Sequence, residues 1–400
     1  MQPLKISIPG DFWDIQIYRG RLYLWDMHGS VTVYNWDGII DSIIRSENDR
    51  LQYRCAFTHG SYLYGSDFHE IFSDSEVKNL LLAKFARIPA AQDLDVQAIG
   101  RYCISTQLNP FDELPTDTEI FLNCVFAATD SGLYYTRGHD TNRKTGLSRR
   151  VFKLTDCPVL SFKANKYSQF ALSAGDEGLF EYDYNQKYRD ESLTSDSRLL
   201  NLSKGHSQFA DWAFSSIYSS SVISNSYLSL FEWEKAYRSP EDNDFYWSRK
   251  FKENVPADEI FGRNQSGLSW GAGDKLYRVV DNGTEIVPFT NYADKVEDSH
   301  FQNKKYMPFR PWKGRIIAAG SSFFGSIVEC ENALVIILSD DSSHTIEGPI
   351  TRWRVYPRSI NYENHLHVVK KDCVEIYSFN HDYFVDQANK LIGTRHTDRT

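Results

Sequence analysis

Leu22-Tyr-Leu-Trp-Asp26-Met-His-Gly29-Ser-Val-Thr-Val-Tyr34 is an apolar strand, an acidic turn and a second apolar strand. The phrase returns as Ala171-Leu-Ser-Ala-Gly-Asp176-Glu-Gly178-Leu-Phe-Glu-Tyr182-Asp. Fainter copies turn at Asp67, Asp130, Asn225, Asp274, Asn332 and Asp372. The turns recur about every fifty residues and leave no long stretch for a second domain. A strand–turn–strand unit repeated at that period predicts an all-β chain forming a single β-propeller. Eight landmarks favour eight blades. Seven is the alternative, because the copies at Asp67 and Asn332 are the weakest.

The residues around the first copy fill out one blade. Phe12–Tyr18 alternates, with Trp13, Ile15 and Ile17 on one face and Asp14, Gln16 and Tyr18 on the other. Trp36-Asp37-Gly38 reads as a turn into a strand over Ile39–Ile44. The last repeat offers only three strands, near Trp353–Tyr356, Leu366–Val369 and Val374–Tyr377. Leu4–Ile8 therefore reads as the missing fourth, so that the N-terminal strand joins the C-terminal blade and closes the ring. The propeller is expected over residues 1–390, followed by a flexible polar tail at 391–400.

Composition fits this reading. The 24 Tyr, 25 Phe and 9 Trp against 3 Met suit packed, pleated strands. A net charge of −9 argues against a nucleic-acid partner, which requires a basic face. No run of apolar residues is long enough to span a membrane. The six cysteines are scattered, and no Cys-x-x-Cys pair occurs. With a chain start that lacks a long apolar core, this reads as reduced thiols in a cytoplasmic protein.

The pattern Asp26-x-x-Gly-Ser-Val-x-Val-Tyr34 resembles the third-strand signature of WD40 repeats, and Asp176-Glu-Gly-Leu-Phe-Glu-Tyr-Asp183 is similar. The Gly-His dipeptide of WD40 blades has its nearest counterpart in Gly205-His206. The resemblance implies four-stranded blades whose turn glycine takes a positive φ. It also implies a platform for protein partners, mostly without catalysis.

The sequence assigns no chemistry. There is no phosphate-binding loop ending in Gly-Lys-Ser/Thr and no Gly-x-Ser-x-Gly elbow. Gly271-Ala-Gly273 leads into a strand over Leu276–Val280, where a dinucleotide loop requires a helix. His365 and His367 share one side of a strand; His59 or His69 would be needed to complete a metal site. The plainer reading is a polar strand face near solvent. Recurring turn acids such as Asp26 and Asp176 read as structural, since Asp bonds its own backbone in turns. No catalytic residue, metal ligand or cofactor is therefore expected.

Departures from the repeat mark the candidate functional places. Residues 73–88 carry a capping box and helical spacing, and read as a helix or as the outer strand of blade two. Residues 108–119 are acidic and 138–150 basic. Two inserts combine aromatic and basic residues: Tyr237, Arg238 and Trp247 in 235–249, and Tyr306, Met307, Phe309, Arg310 and Trp312 in 291–313. These residue types are enriched at interface hot spots. Either a protein partner covers them, or the inserts pack back onto their own rim. The expected function is a non-enzymatic scaffold or adaptor subunit of a larger complex, binding proteins through rim loops. The alternatives are a hydrolase or lyase with its site at the central channel, and a glycan- or small-ligand-binding propeller.

Overall fold

A computed structural model of the chain describes residues 2–65, 68–138, 147–165, 168–184, 198–237, 245–263, 267–289, 301, 303–308, 310–340, 342–384 and 391–394. Seven mainly antiparallel sheets succeed one another among these residues. Blade one is Phe12–Tyr18, Arg21–Asp26, Val31–Asn35 and Cys103–Gln107. Blade two is Asp117–Phe121, Cys124–Thr129, Gly132–Arg137 and Val151–Thr155. Blade three is Ser161–Ala164, Gln169–Ser173, Leu179–Asp183 and Leu199–Ser203. Blade four is Phe209–Ala213, Ser216–Ser220, Tyr227–Tyr237 and Phe245–Pro256. Blade five is Ser269–Ala272, Lys275–Val280, Gly283–Pro288 and Lys305–Met307. Blade six is Ile316–Ser322, Gly325–Cys330, Ala333–Leu338 and Ser343–Glu347. Blade seven joins Arg352–Val355, His365–Val369 and Cys373–Ser378 to the N-terminal strand Leu4–Pro9.

Each blade is apolar on both faces because each is sandwiched between two others. Among the described residues, one apolar cluster fills each interface. Tyr23 and Trp25 meet Val125 and Ala127 between blades one and two. Phe126 and Leu133 meet Phe162 and Phe170 between two and three, and Ala171 meets Ile217 between three and four. Tyr218 and Leu228 meet Leu276 and Val287 between four and five. Trp270 and Tyr277 meet Val328 and Val335 between five and six, and Phe324 and Ile336 meet Leu366 and Val368 between six and seven. Ile15 and Leu24 of blade one share a cluster with Val369 and Ile376 of blade seven. The structure is a propeller of seven blades.

The eighth blade expected around Asp67 is absent from the described residues, and the reason is local. Between the third and fourth strands of blade one, the chain forms helices α1 (Trp36–Ile43), α2 (Arg50–Phe57), α3 (Ser61–Tyr64), α4 (His69–Ser73), α5 (Ser75–Phe85) and α6 (Val96–Gly100). Asp67 itself lies outside the described residues. The Asn35 side chain accepts from Gly38 N and caps α1, whose buried Trp36, Ile39 and Ile40 recur at helical spacing. Trp36-Asp37-Gly38 thus starts a helix rather than turning into a strand. Asp74 caps α5 by accepting from Glu76 N and Val77 N, so of the two readings for 73–88 the helix holds.

The turn chemistry is as the WD40 resemblance implies. Gly29 and Gly178 take φ of 78° and 105°. A Cβ at Gly178 would fall 1.8 Å from the Ser203 carbonyl oxygen, so only glycine fits there. Asp26 Oδ1 accepts from His28 N and Ser30 N, which makes that turn acid structural.

The first strand and the last described segment are packed. Leu4–Pro9 pairs antiparallel with Cys373–Ser378, from Leu4 opposite Ser378 to Pro9 opposite Cys373. Its other edge takes Ala91–Asp93 in parallel. Of the tail expected to be flexible, Leu391–Thr394 is docked. Ile392 is buried with Trp270 and Trp312, Thr394 N donates to Ser322 O, and the Gly393 carbonyl accepts from the buried Lys275 Nζ at 2.7 Å. A buried ammonium needs such an acceptor. Residues 395–400 lie outside the described residues.

Candidate functional site

The last two strands of blade four are the longest in the molecule's described residues, at 11 and 12 residues. Of the first of these strands, the neighbour Ser216–Ser220 covers Tyr227–Ser229. Beyond that point the two strands continue together as a ribbon. The register sets Phe231 opposite Phe251, Trp233 opposite Arg249, Lys235 opposite Trp247 and Tyr237 opposite Phe245. Directly paired residues share a face and alternate residues do too, so these eight side chains form one ladder. Glu232, Glu234, Tyr246 and Lys250 occupy the other face.

The lower rungs are anchored. The Arg249 guanidinium lies 3.4 Å from the Phe231 ring centroid. Its Nη1 donates to both Glu181 carboxylate oxygens of blade three, at 3.0 and 2.7 Å. Its Nε donates to the Ser215 carbonyl at 2.5 Å. Burial lowers the Arg249 guanidinium and raises the Glu181 carboxyl from their ordinary ranges, and their mutual attraction opposes both shifts. The upper rungs are open to solvent. Tyr237, Phe245 and Trp247 are 53%, 47% and 38% exposed. Lys235 Nζ sits 4.6 Å from the Phe245 centroid and 5.7 Å from that of Trp247. Among the described residues Lys235 has no carboxylate partner, whereas Lys250 pairs with Glu234 and Lys252 with Glu232 on the opposite face. The ribbon therefore shows one aromatic, cationic face and one internally neutralised face. Tyr237 and Trp247 lie on the first; Arg238 lies outside the described residues.

The second sequence-derived group is divided. Tyr306 and Arg310 are exposed, and Arg310 Nη1 donates to the Asp281 carbonyl at 2.5 Å. Met307 and Trp312 are buried with Trp270 and Tyr277, and so belong to the core between blades five and six rather than to a free surface. Pairing of Lys305–Met307 with Gly283–Pro288 turns Met307 inward. Phe309 lies outside the described residues.

A charge cluster on the innermost strands escaped the sequence reading. Arg354 of blade seven grips Asp14 of blade one through Nε and Nη2, both at 2.6 Å, and Nη2 reaches Asp117 of blade two at 2.8 Å. Arg352 lies 3.2 Å from Asp117 and 4.3 Å from the Trp13 ring centroid. Arg358 pairs with Glu119. Burial works against these charges, but the arginines outweigh it and hold the Asp117 carboxyl below its usual range. Asp211 of blade four differs: burial pushes its carboxyl up to about 6, with Lys163 as the main opposing charge. The alternation Asp117-x-Glu119 and Arg352-x-Arg354-x-x-x-Arg358 was a visible signal. Its partners were not, because they are strands apart.

The histidine pair is buried, not near solvent. The Ala56 carbonyl at the end of α2 can only accept, so His365 Nε2, at 2.8 Å, donates to it. His365 Nδ1 then accepts from His367 Nε2 at 3.3 Å, and His367 Nδ1 accepts from the Tyr356 hydroxyl at 3.0 Å. Every ring nitrogen is used within the fold. Among the described residues, no group of three or more His, Cys, Asp and Glu is placed to hold a metal. Burial lowers His365 to about 4 and His367 well below its ordinary value. The unfolded chain therefore binds more protons than the folded one below about pH 6.5, and stability falls as pH drops towards 4. Two groups at about 1.4 kcal/mol per pH unit each cost up to about 4 kcal/mol between pH 6.5 and 5. Urea midpoints across that range should show this slope in the wild type and a shallower one in His365→Asn/His367→Asn. Parallel slopes would refute the assignment.

No family model matches the chain, and no curated protein sequence matches it. Solved structures resemble it in fold. The β-propeller domain of Myceliophteria thermophila Cps50 (Swd1) has a TM-score of 0.46 at 9% identity, covering 93% of this chain and 97% of that one. BBS1N, solved in complex with ARL6DN, has a TM-score of 0.46 at 8% identity, covering 95% and 96%. The WD40 propeller of Doa1 has a TM-score of 0.36 at 10% identity, covering 70% and 95%. The likeness to WD40 propellers is one of fold alone.

Proposed function

We propose that this chain is a cytoplasmic, non-enzymatic interaction platform and that a protein partner docks on the aromatic face of the blade-four ribbon. The observation that carries the reading is the ladder of Tyr237, Phe245 and Trp247 held open to solvent around Lys235, which has no carboxylate partner among the described residues. Tyr and Trp dominate interface energetics, and here they stand on a ribbon whose base Arg249 and Glu181 fix. Charge selects the partner. The face offers a cation and no carboxylate among its described residues, so it suits an extended segment carrying apolar side chains and an acidic residue for Lys235.

An array of extended peptides tests this. Acidic, apolar sequences should be retained and basic ones rejected. Tyr237→Ala/Trp247→Ala should weaken retention about 30-fold or more, and Lys235→Glu should shift the preference towards basic peptides. Both variants should melt like the wild type, because these rungs are exposed. Undiminished retention by the double alanine variant would remove the ribbon as the docking site.

Catalysis in the channel has one observation in its favour, the raised carboxyl of Asp211 near Lys163. Against it, Asp14, Asp117 and Glu119 are already held by arginines and backbone N–H groups. We also propose that the seam between Leu4–Pro9 and Cys373–Ser378 fastens the ring, so that the platform keeps its shape when a partner pulls on one blade.

A further inference from the structure

The helical insert holds a second, separate feature. A cavity of about 140 Å³ is lined by Arg45, Asp49, Tyr53, Arg87, Ile88 and Gln92 among others. That space exceeds what one water requires. Arg45 follows α1, Arg87 follows α5 and Tyr53 lies on α2, so three helices converge on it. Neither guanidinium has a hydrogen-bond or ion-pair partner among the described residues. Their neighbours are otherwise engaged: Arg50 pairs with Glu47 and Arg54 with Asp41.

The third donor is the Tyr53 hydroxyl. Tyr53 is 4% exposed, and Gln92 Nε2 donates to its oxygen. The hydroxyl proton is thus left to donate, and it finds no acceptor among the described residues. Two guanidinium forks and a buried O–H line one space against a single carboxylate, Asp49, which leaves an excess of one positive charge. Guanidinium forks match the paired oxygens of an oxyanion, and a dianion can engage both forks at once.

We propose that this cavity binds a phosphate monoester dianion. The site is independent of the blade-four ribbon. Calorimetric titration of the intact chain with phenyl phosphate tests it, with benzoate as the monoanion of similar shape. Phenyl phosphate should bind about tenfold more tightly than benzoate. Arg45→Ala and Arg87→Ala should each weaken it about tenfold, and Tyr53→Phe less. Affinity should rise between about pH 5.5 and 7.5 as the second phosphate proton leaves. Both arginines are exposed, so matching melting curves would confirm that the variants fold. Equal titration curves for the wild type and the Arg45→Ala/Arg87→Ala variant, or no heat with about 10 mM phenyl phosphate, would overturn the proposal. Sedimentation with phosphatidylcholine vesicles carrying a phosphatidylinositol phosphate separates the sources. Arginine-dependent pelleting assigns a lipid headgroup; phenyl phosphate binding without pelleting assigns a soluble ester.

Discussion

Removing residues 1–9 should cost about 5 kcal/mol of stability or more. Leu4, Ile6 and Ile8 are buried in the cluster shared by blades seven and one, and each such side chain contributes about 1.5–3 kcal/mol when buried. The deletion also bares the edge of Cys373–Ser378, whose backbone pairs with every residue of Leu4–Pro9. An exposed edge strand recruits other chains, so the truncated protein should also associate. The Lys5–Glu375 ion pair at 2.9 Å is a minor part of the effect. Lys5→Ala alone should cost about 1 kcal/mol or less, because the lysine is partly solvated and Glu375 keeps Lys370. Urea midpoints compared across the three proteins check the order, and size-exclusion chromatography checks the association. A truncated protein that unfolds with the wild type would show that the seam carries no load.

Asp14→Ala is the point substitution with the largest expected effect. Asp14 is fully buried, accepts from Arg354 twice, and also accepts from Ile15 N and Thr118 Oγ1. Taking away the carboxylate leaves a buried guanidinium with only Asp117 to balance it. Loss of one member of a buried pair typically costs about 3–5 kcal/mol. Replacing both partners is a different experiment: Asp14→Leu/Arg354→Met removes the stranded charge along with its mate, and should recover much of the loss. If the double variant were as unstable as the single one, the cost would lie in packing rather than in an uncompensated charge.

What the sequence showed and what it hid have physical reasons. Strand–turn–strand phrases are local, and glycines such as Gly29 and Gly178 mark turns that only one backbone conformation permits, so seven blades could be located. The landmark at Asp67 misled because an acid in a turn-like stretch reads alike between strands and between helices, and the described residues on either side, Ser61–Tyr64 and His69–Ser73, are helical. The stretch Trp36–Ile44 interleaves apolar residues with Asp37, Gly38, Asp41 and Ser42, and only the spacing of Trp36, Ile39 and Ile40 separates helix from strand. The candidate site was half visible. Aromatic residues at 237, 245 and 247 stand out in any reading, but that they share one face with Lys235 depends on a register set across the ribbon. Met307 and Trp312 looked alike in composition and proved to be core. The Asp14–Arg354–Asp117 network joins residues hundreds of positions apart, and no local pattern encodes such a pairing.

In the proposed closure, the chain's first strand completes its last blade and so fastens seven blades into a ring. Hydrogen–deuterium exchange read on the peptide spanning residues 2–12 measures this directly. Backbone amides of Leu4–Ile8 should be protected to the same degree as those of Leu366–Val369, and should lose protection together with Cys373–Ser378 in rising urea. Full exchange of the N-terminal peptide within seconds, with Cys373–Ser378 still protected, would contradict it.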